Sequence, residues 1–283
     1  MPVFEYLRFS LSVPTSGQLF EGQENREPTI TRQDFLKRVL SKRLDFKHES
    51  REYTFLPSAN LRFEETVLSG FIGRKVSQAV NAGPDDAFAK TTAEFYRASF
   101  FVIDTRQGEQ IGALEKRNDV GKADRVLASL MVAARKSFGK EHTWHTDIEY
   151  ITNPDTFWNV VDQNRGRITK LEFEFLPSNG LKGFDAWKDF DKALKKEANA
   201  KASGYSLKND EGQLEPEGAE VEAAVEYASE GGGWYKLFAG RRLIFFSRSA
   251  RRTASPPKEM MPEDTNSPRT ARLIDYLLRG GRG

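Results

Sequence analysis

The hydrophobic pattern begins as a strand. Val3–Val13 alternates apolar and polar positions, so that Val3, Leu7, Phe9, Leu11 and Val13 can share one buried face. A polar, loop-like stretch, Gly17–Pro28, follows. Thr31 then has the character of an N-cap, and Phe35, Leu36, Val39 and Leu40 fall at helical spacing, which predicts an amphipathic helix over 32–43. Tyr53–Leu56 and Leu61–Phe71 read as strands around the turn Pro57–Asn60, and Pro84 with Asp85 and Asp86 opens a short helix.

The central pattern is clearer. Ala98–Asp104 (ASFFVID) is a buried strand, Arg106-Gln107-Gly108 a turn, and Gln110–Leu114 its partner. A helix over 120–138 gathers Val126, Leu127, Leu130, Met131 and Ala134 on one stripe, with Gly139 as its stop. Trp144–Ile151 is a strand; Asn153-Pro154 starts a helix with Phe157, Trp158 and Val161; and Arg167–Phe175 alternates as another strand. The resulting order favours an α+β fold, with a mixed or largely antiparallel sheet and helices packed on one side.

Beyond Pro177 the composition shifts. Phe184–Ala202 reads as a Lys- and Ala-rich helix, Tyr205–Leu214 as a short hairpin, Glu217–Ala228 as an acidic helix, and Trp234–Phe238 with Leu243–Ser247 as a hairpin across Ala239-Gly240. The expected organisation is a main α+β domain over 1–177, a smaller α+β unit over 183–248, a flexible Ser-, Pro- and Arg-rich linker over 249–268, and a short basic helix in 269–283.

Composition narrows the setting. The 283 residues are 38% hydrophobic, enough for a packed core, and no apolar run approaches the length of a bilayer span. No cysteine is present, so disulfides and thiolate metal sites are excluded. Met1–Glu5 reads as the start of a strand without a leader pattern; the cytoplasm is the expected location, with no membrane partner.

The net charge of +2 conceals an uneven distribution. Eight acids and no base lie between Asn209 and Glu230, whereas Lys236, Arg241, Arg242, Arg248, Arg251, Arg252 and Lys258 occupy 231–258 without an acid. Such asymmetry points to a polyanionic partner, to pairing between the two blocks, or to both. Trp234, Tyr235, Phe238, Phe245 and Phe246 interleave with the bases. Lys236, Arg241, Arg242, Arg248, Arg251 and Arg252 are therefore the candidate nucleic-acid-binding residues, placed to contact phosphates with little sequence preference. A solvated face that neutralises the acidic helix is the plainer alternative.

Catalytic patterns are sparse. His142 and His145 lie three apart in a segment read as a strand, where they face opposite ways, so no metal site is expected. Asp104 and Glu109 are the carboxylates that a metal-dependent nuclease would offer, but Glu115-Lys116-Arg117 lacks the carboxylate-x-Lys spacing. No nucleophile-elbow, zinc-protease or P-loop motif occurs, so no catalytic residue and no cofactor is assigned.

Phe100–Asp104, then Glu109-Gln110-Ile111-Gly112-Ala113, then a helix carrying Leu127 and Leu130, resembles the central region of the phage-exclusion protein RexA and of the B subunit of the Kiwa anti-phage system. Tyr205–Lys208 followed by Asn209–Gly212 is similar to a segment of that group, so the resemblance spans about residues 95–215. It implies a non-catalytic, duplex-DNA-binding sensor or accessory protein of prokaryotic anti-phage defence, a homodimer, with a partner protein from the same operon. The alternatives are a metal-dependent nuclease effector and a protein-interaction subunit docking through its acidic segment.

Overall fold

The computed structural model describes residues 1–12, 29–59, 65–106, 108–137, 144–176 and 203–279. The loop expected at Gly17–Pro28, the helix expected at Phe184–Ala202, His142, and the boundary between 177 and 183 lie outside the described residues.

The protein is α+β, with one large antiparallel sheet and one small one. The large sheet contains β1 (Phe4–Ser12), β2 (Leu44–His48), β3 (Arg51–Pro57), β4 (Val67–Asn81), β5 (Lys90–Asp104), β6 (Ile111–Glu115), β7 (His145–Tyr150) and β12 (Thr253–Ala254). Their order is β12-β1-β6-β5-β4-β3-β2, with β7 also paired to β1. The strand β1 is central because its alternation feeds two cores. Leu7, Phe9 and Leu11 face α1 (Arg32–Leu40) and α2 (Ala123–Ser137), while Phe4 and Tyr6 face the opposite side.

Thr31 caps α1 by accepting a hydrogen bond from the Asp34 amide, so the capping residue read from the sequence starts the helix where expected. The stripe Val126, Leu127, Leu130, Met131 and Ala134 of α2 is fully buried, and this helix packs against both β2 and β7, closing the curl of the sheet. The C-terminal helix α5 (Arg269–Leu278) covers the other side of the sheet. Leu273, Ile274 and Leu277 pack with Phe4, Tyr6, Phe100 and Val102, and the Tyr6 hydroxyl donates to the Leu277 carbonyl at 2.7 Å.

Three expectations differ from the structure. First, β4 and β5 are each 15 residues long and pair from end to end, whereas the sequence pattern marks only their buried ends, up to Phe71 and from Ala98. Among the described residues no third strand joins them beyond Arg74, and the pair runs on as a two-stranded ribbon to a tip at Pro84–Asp86. Second, 249–268 is held against the large sheet rather than free. Thr253 and Ala254 pair with Glu5 and Phe4, the Ala59 amide donates to the Thr265 carbonyl, and Pro256, Pro262 and Ser267 are buried. These are backbone bonds and isolated contacts, which leave no apolar periodicity to read. Third, Tyr205–Leu214 is not a hairpin: only Ser203–Lys208 forms a strand, β9, and Gln213 makes a parallel bridge to Ile168.

The small sheet has the order β11-β10-β8-β9, from Arg242–Phe246, Gly233–Ala239, Lys170–Phe175 and Ser203–Lys208. Helices α3 (Pro154–Gln163) and α4 (Ala219–Tyr227) cover one face. Phe157, Val161, Ala224 and Val225 pack with Leu171, Phe173, Tyr235, Leu237 and Phe245. Asn153 caps α3 and Pro154 occupies its first turn, as the sequence indicates.

The two sheets meet where Ser229–Gly233 passes β1. Arg8, almost fully buried, donates from Nε to the Glu230 carbonyl at 2.7 Å and from a terminal nitrogen to Gly108 at 3.0 Å; burial pulls its pKa below the usual guanidinium value. Gly231 sits at φ +87°, and a Cβ there would lie 2.6 Å from the Arg8 Cβ, so this turn admits only glycine without strain.

Candidate nucleic-acid interface

The structure divides the six basic residues singled out by the sequence. Arg248, just after β11, holds both carboxylate oxygens of Glu149 on β7, with Nε at 2.9 and 3.1 Å. The Glu149 side chain is 3% exposed; burial pushes its carboxyl above the usual range, against the downward pull of Arg248. Burial works against the Arg248 charge too, but its hydrogen bond and ion pair with Glu149 outweigh this and raise its pKa.

Arg251 is likewise committed. It donates to Glu5, also 3% exposed, at 2.9 Å and to the Arg248 carbonyl at 2.9 Å, and its guanidinium lies 3.8 Å from the centre of the Tyr150 ring. Arg252 lies over Tyr6 at 5.3 Å. These three arginines fasten 248–252 to the large sheet, and Arg248 and Arg251 each already hold a buried carboxylate. A buried carboxylate deprived of its partner is costly, which holds Arg248 on Glu149, whereas Glu5 is also reached by Lys116 at 3.6 Å.

Among the described residues no ion pair joins 209–230 to 231–258; Glu217 pairs with Arg165 instead, at 2.8 Å. Nor are the sequence's metal candidates assembled. His145 Nε2 lies 3.2 Å from Asp147, and Asp104, buried, is gripped by Arg106 through both oxygens. Among the described residues no group of three His, Asp or Glu side chains is placed to hold a metal ion.

Lys236 lies on the side of the small sheet away from α3 and α4, where Arg248 also reaches over the Trp234 and Phe246 rings, 6.0 and 5.7 Å from their centres, while Arg241 and Arg242 stand at the turn that ends that sheet. Alternation along β10 buries Tyr235 and Leu237 and turns Trp234, Lys236 and Phe238 outward. On β8 the same alternation buries Leu171, Phe173 and Phe175 and turns out Lys170, Glu172 and Glu174. Register then builds the face row by row. Lys208 lies opposite Lys170, which lies opposite Phe238; Glu172 lies opposite Lys236, which lies opposite Phe246.

The cations on this face sit on aromatic rings. Lys236 Nζ is 4.5 Å from the Trp234 ring and 5.2 Å from Phe246, and Lys170 Nζ is 4.0 Å from Phe238. Both carboxylates are occupied. Glu172 accepts from Lys170 at 2.7 Å, and Glu174 accepts from the Trp234 indole at 2.9 Å. Arg241 and Arg242, both exposed, stand on the β10–β11 turn at the Lys170–Lys208 end of the sheet. Thr169 fixes that turn by donating through its hydroxyl to Gly240 at 3.1 Å and through its amide to Phe238 at 2.9 Å.

Among the described residues the face thus carries Lys170, Lys208 and Lys236, with Arg248 reaching over its rings and Arg241 and Arg242 on the turn at its rim, against Glu172 and Glu174. Lys170 and Lys208 directly face one another, a pairing of like charge that a sheet tolerates at a cost. Lys170 and Lys208 are absent from the candidate set read from the sequence. For Lys170 the signal was the outward phase of β8, visible in the alternation of Arg167–Phe175 once the buried phase is known, whereas Lys208 enters only through its register opposite Lys170.

No family model matches the chain, and no curated protein and no solved structure matches it significantly. Among the described residues no helix is long and apolar enough to cross a membrane.

Proposed function

We propose that the protein binds nucleic acid through the outward face of its small sheet, as a non-catalytic sensor or accessory factor of prokaryotic anti-phage defence. The observation that carries this reading is the gathering of cations and three aromatic rings on one sheet face and its rim, with two carboxylates that are already engaged. Such a face attracts phosphate without needing a fixed base sequence. The defence role is supported by the resemblance of Phe100–Asp104 and Glu109–Ala113 to RexA and the Kiwa B subunit.

The experiment is a gel-shift titration of the full chain with duplex DNA, single-stranded DNA and RNA, with and without magnesium. Retention that weakens with salt, with every strand left intact, is the expected result. Magnesium-dependent cleavage would favour a nuclease, and retention of none of the three would reject the reading. A second reading, docking on a basic partner protein, is favoured by the exposed Glu215, Glu220, Glu222 and Glu226, for which no ion pair is found among the described residues.

A further inference from the structure

Accepting that the small sheet binds nucleic acid, we infer that its occupant is an unpaired strand, held by stacking of its bases on Trp234, Phe246 and Phe238. The inference rests on the functional reading above and is separable from it.

Width is the first consideration. Four strands spaced about 4.8 Å apart make a platform about 14 Å across before side chains are added, wider than the roughly 12 Å major groove of a duplex. The face is also lined by rings rather than by groove-reading amides. In a duplex the base faces are covered by neighbouring bases, so rings on a flat sheet have nothing to stack on; in an unpaired strand those faces are open.

The second consideration is how the rings are held. The Trp234 indole is fixed by its bond to Glu174, and Phe246 meets it edge-on, with centroids 5.7 Å apart and planes at 87°. Phe238 lies four residues along β10 from Trp234, about 13 Å in an extended strand. The platform therefore offers two stacking stations on one line.

The third is charge. Among the described residues Lys236 forms no ion pair, Glu172 opposite it being bonded to Lys170, and both Arg248, held on Glu149, and Lys236 lie over Trp234 and Phe246. A strand arriving on the face exchanges this contact for two others: the base takes the ring and the ammonium takes a phosphate, which accepts a stronger, charge-assisted bond. Lys208, Arg241 and Arg242 continue the cationic track along the same end of the sheet. Glu172 and Glu174 each already accept a hydrogen bond from this face, and DNA and RNA strands are expected to bind alike.

The test is fluorescence anisotropy of labelled oligo(dT) and oligo(U), each about 15 nucleotides long, and of a duplex of the same length. Oligo(dT) and oligo(U) are expected to bind within a few-fold of each other and at least tenfold more tightly than the duplex. Trp234→Ala and Phe238→Ala should each weaken oligo(dT) binding by about 5- to 100-fold, whereas Trp234→Phe, which keeps a ring, should stay within a few-fold of the parent. Thermal melting is recorded for every variant. Should Trp234→Ala melt early, Phe238→Ala, at the sheet's end, carries the test. If the duplex binds as tightly as oligo(dT) and the alanine variants bind normally, the stacking inference is overturned and the nucleic-acid reading stands. If no nucleic acid is retained, that reading itself fails.

Discussion

Arg248 and Glu149 come from segments 99 residues apart in the chain, yet the guanidinium meets both oxygens of the carboxylate. With Arg251 on Glu5, this pair fixes the end of the small sheet to the large one. Its energetic meaning is asymmetric. A buried pair adds little over a well-packed apolar one, but removing one partner strands the other.

The first prediction follows from this asymmetry. Arg248→Ala is expected to destabilise the protein by about 3 kcal/mol, the low end for a broken buried pair, because Arg248 keeps about a third of its surface in water. Glu149→Gln in the same background should recover part of the loss, since the stranded charge is then gone. Denaturant unfolding of the two single variants and the double gives the coupling; simple additivity would contradict the pairing.

Arg241 and Arg242 should behave in the opposite way. Changing both to Ala is expected to alter stability by no more than about half a kcal/mol each, the usual range for exposed side chains. Nucleic-acid affinity should fall, and the log–log dependence on salt should flatten by about 1.4 for a single strand or about 1.8 for a duplex. Equal loss of affinity and stability would make these arginines structural.

A third prediction concerns the turn where the sheets meet. Gly231→Ala places a methyl group against Arg8 at a left-handed backbone position. The expected cost is about 1–3 kcal/mol, and more if Arg8 must release the Glu230 carbonyl. Thermal melting lowered by several degrees would agree; an unchanged midpoint would mean that the turn can be rebuilt without strain.

What could be read in the sequence was whatever faces a core. Thr31 and Asn153 announce α1 and α3, and the stripe of α2 announces its buried side, because capping and burial leave local marks. The outer halves of β4 and β5 left none. Ser77, Gln78, Asn81, Thr91 and Thr92 are all exposed, and a ribbon with no core on either side has no reason to alternate. The basic block was visible as composition, but composition is blind to distant partners. Nothing near Arg248 or Arg251 in the chain indicates Glu149 or Glu5, whereas Arg241 and Arg242, beside a tight turn, were exposed as their position suggests.

The last prediction concerns pH. Burial raises the phenol pKa of Tyr6, Tyr150 and Tyr235 above the ordinary value near 10, with the proximity of Asp124 adding to the effect at Tyr150. In the folded chain these phenols hold their protons at pH values where the unfolded chain has begun to lose them. The folded state thus binds more protons, and its stability falls as pH rises. The contribution is complete below about pH 10 and is lost progressively above it. Melting temperature should therefore hold steady from pH 8 to about 9.5 and then decline. The absorbance of these three tyrosinates should appear together with unfolding rather than before it. Tyr150→Phe loses the bond to Asp124, 2.8 Å long, and so should be less stable at neutral pH, but its decline above pH 10 should be shallower. Were Tyr150 to ionise reversibly in the folded protein near pH 10, the burial of its hydroxyl against Asp124 would be refuted.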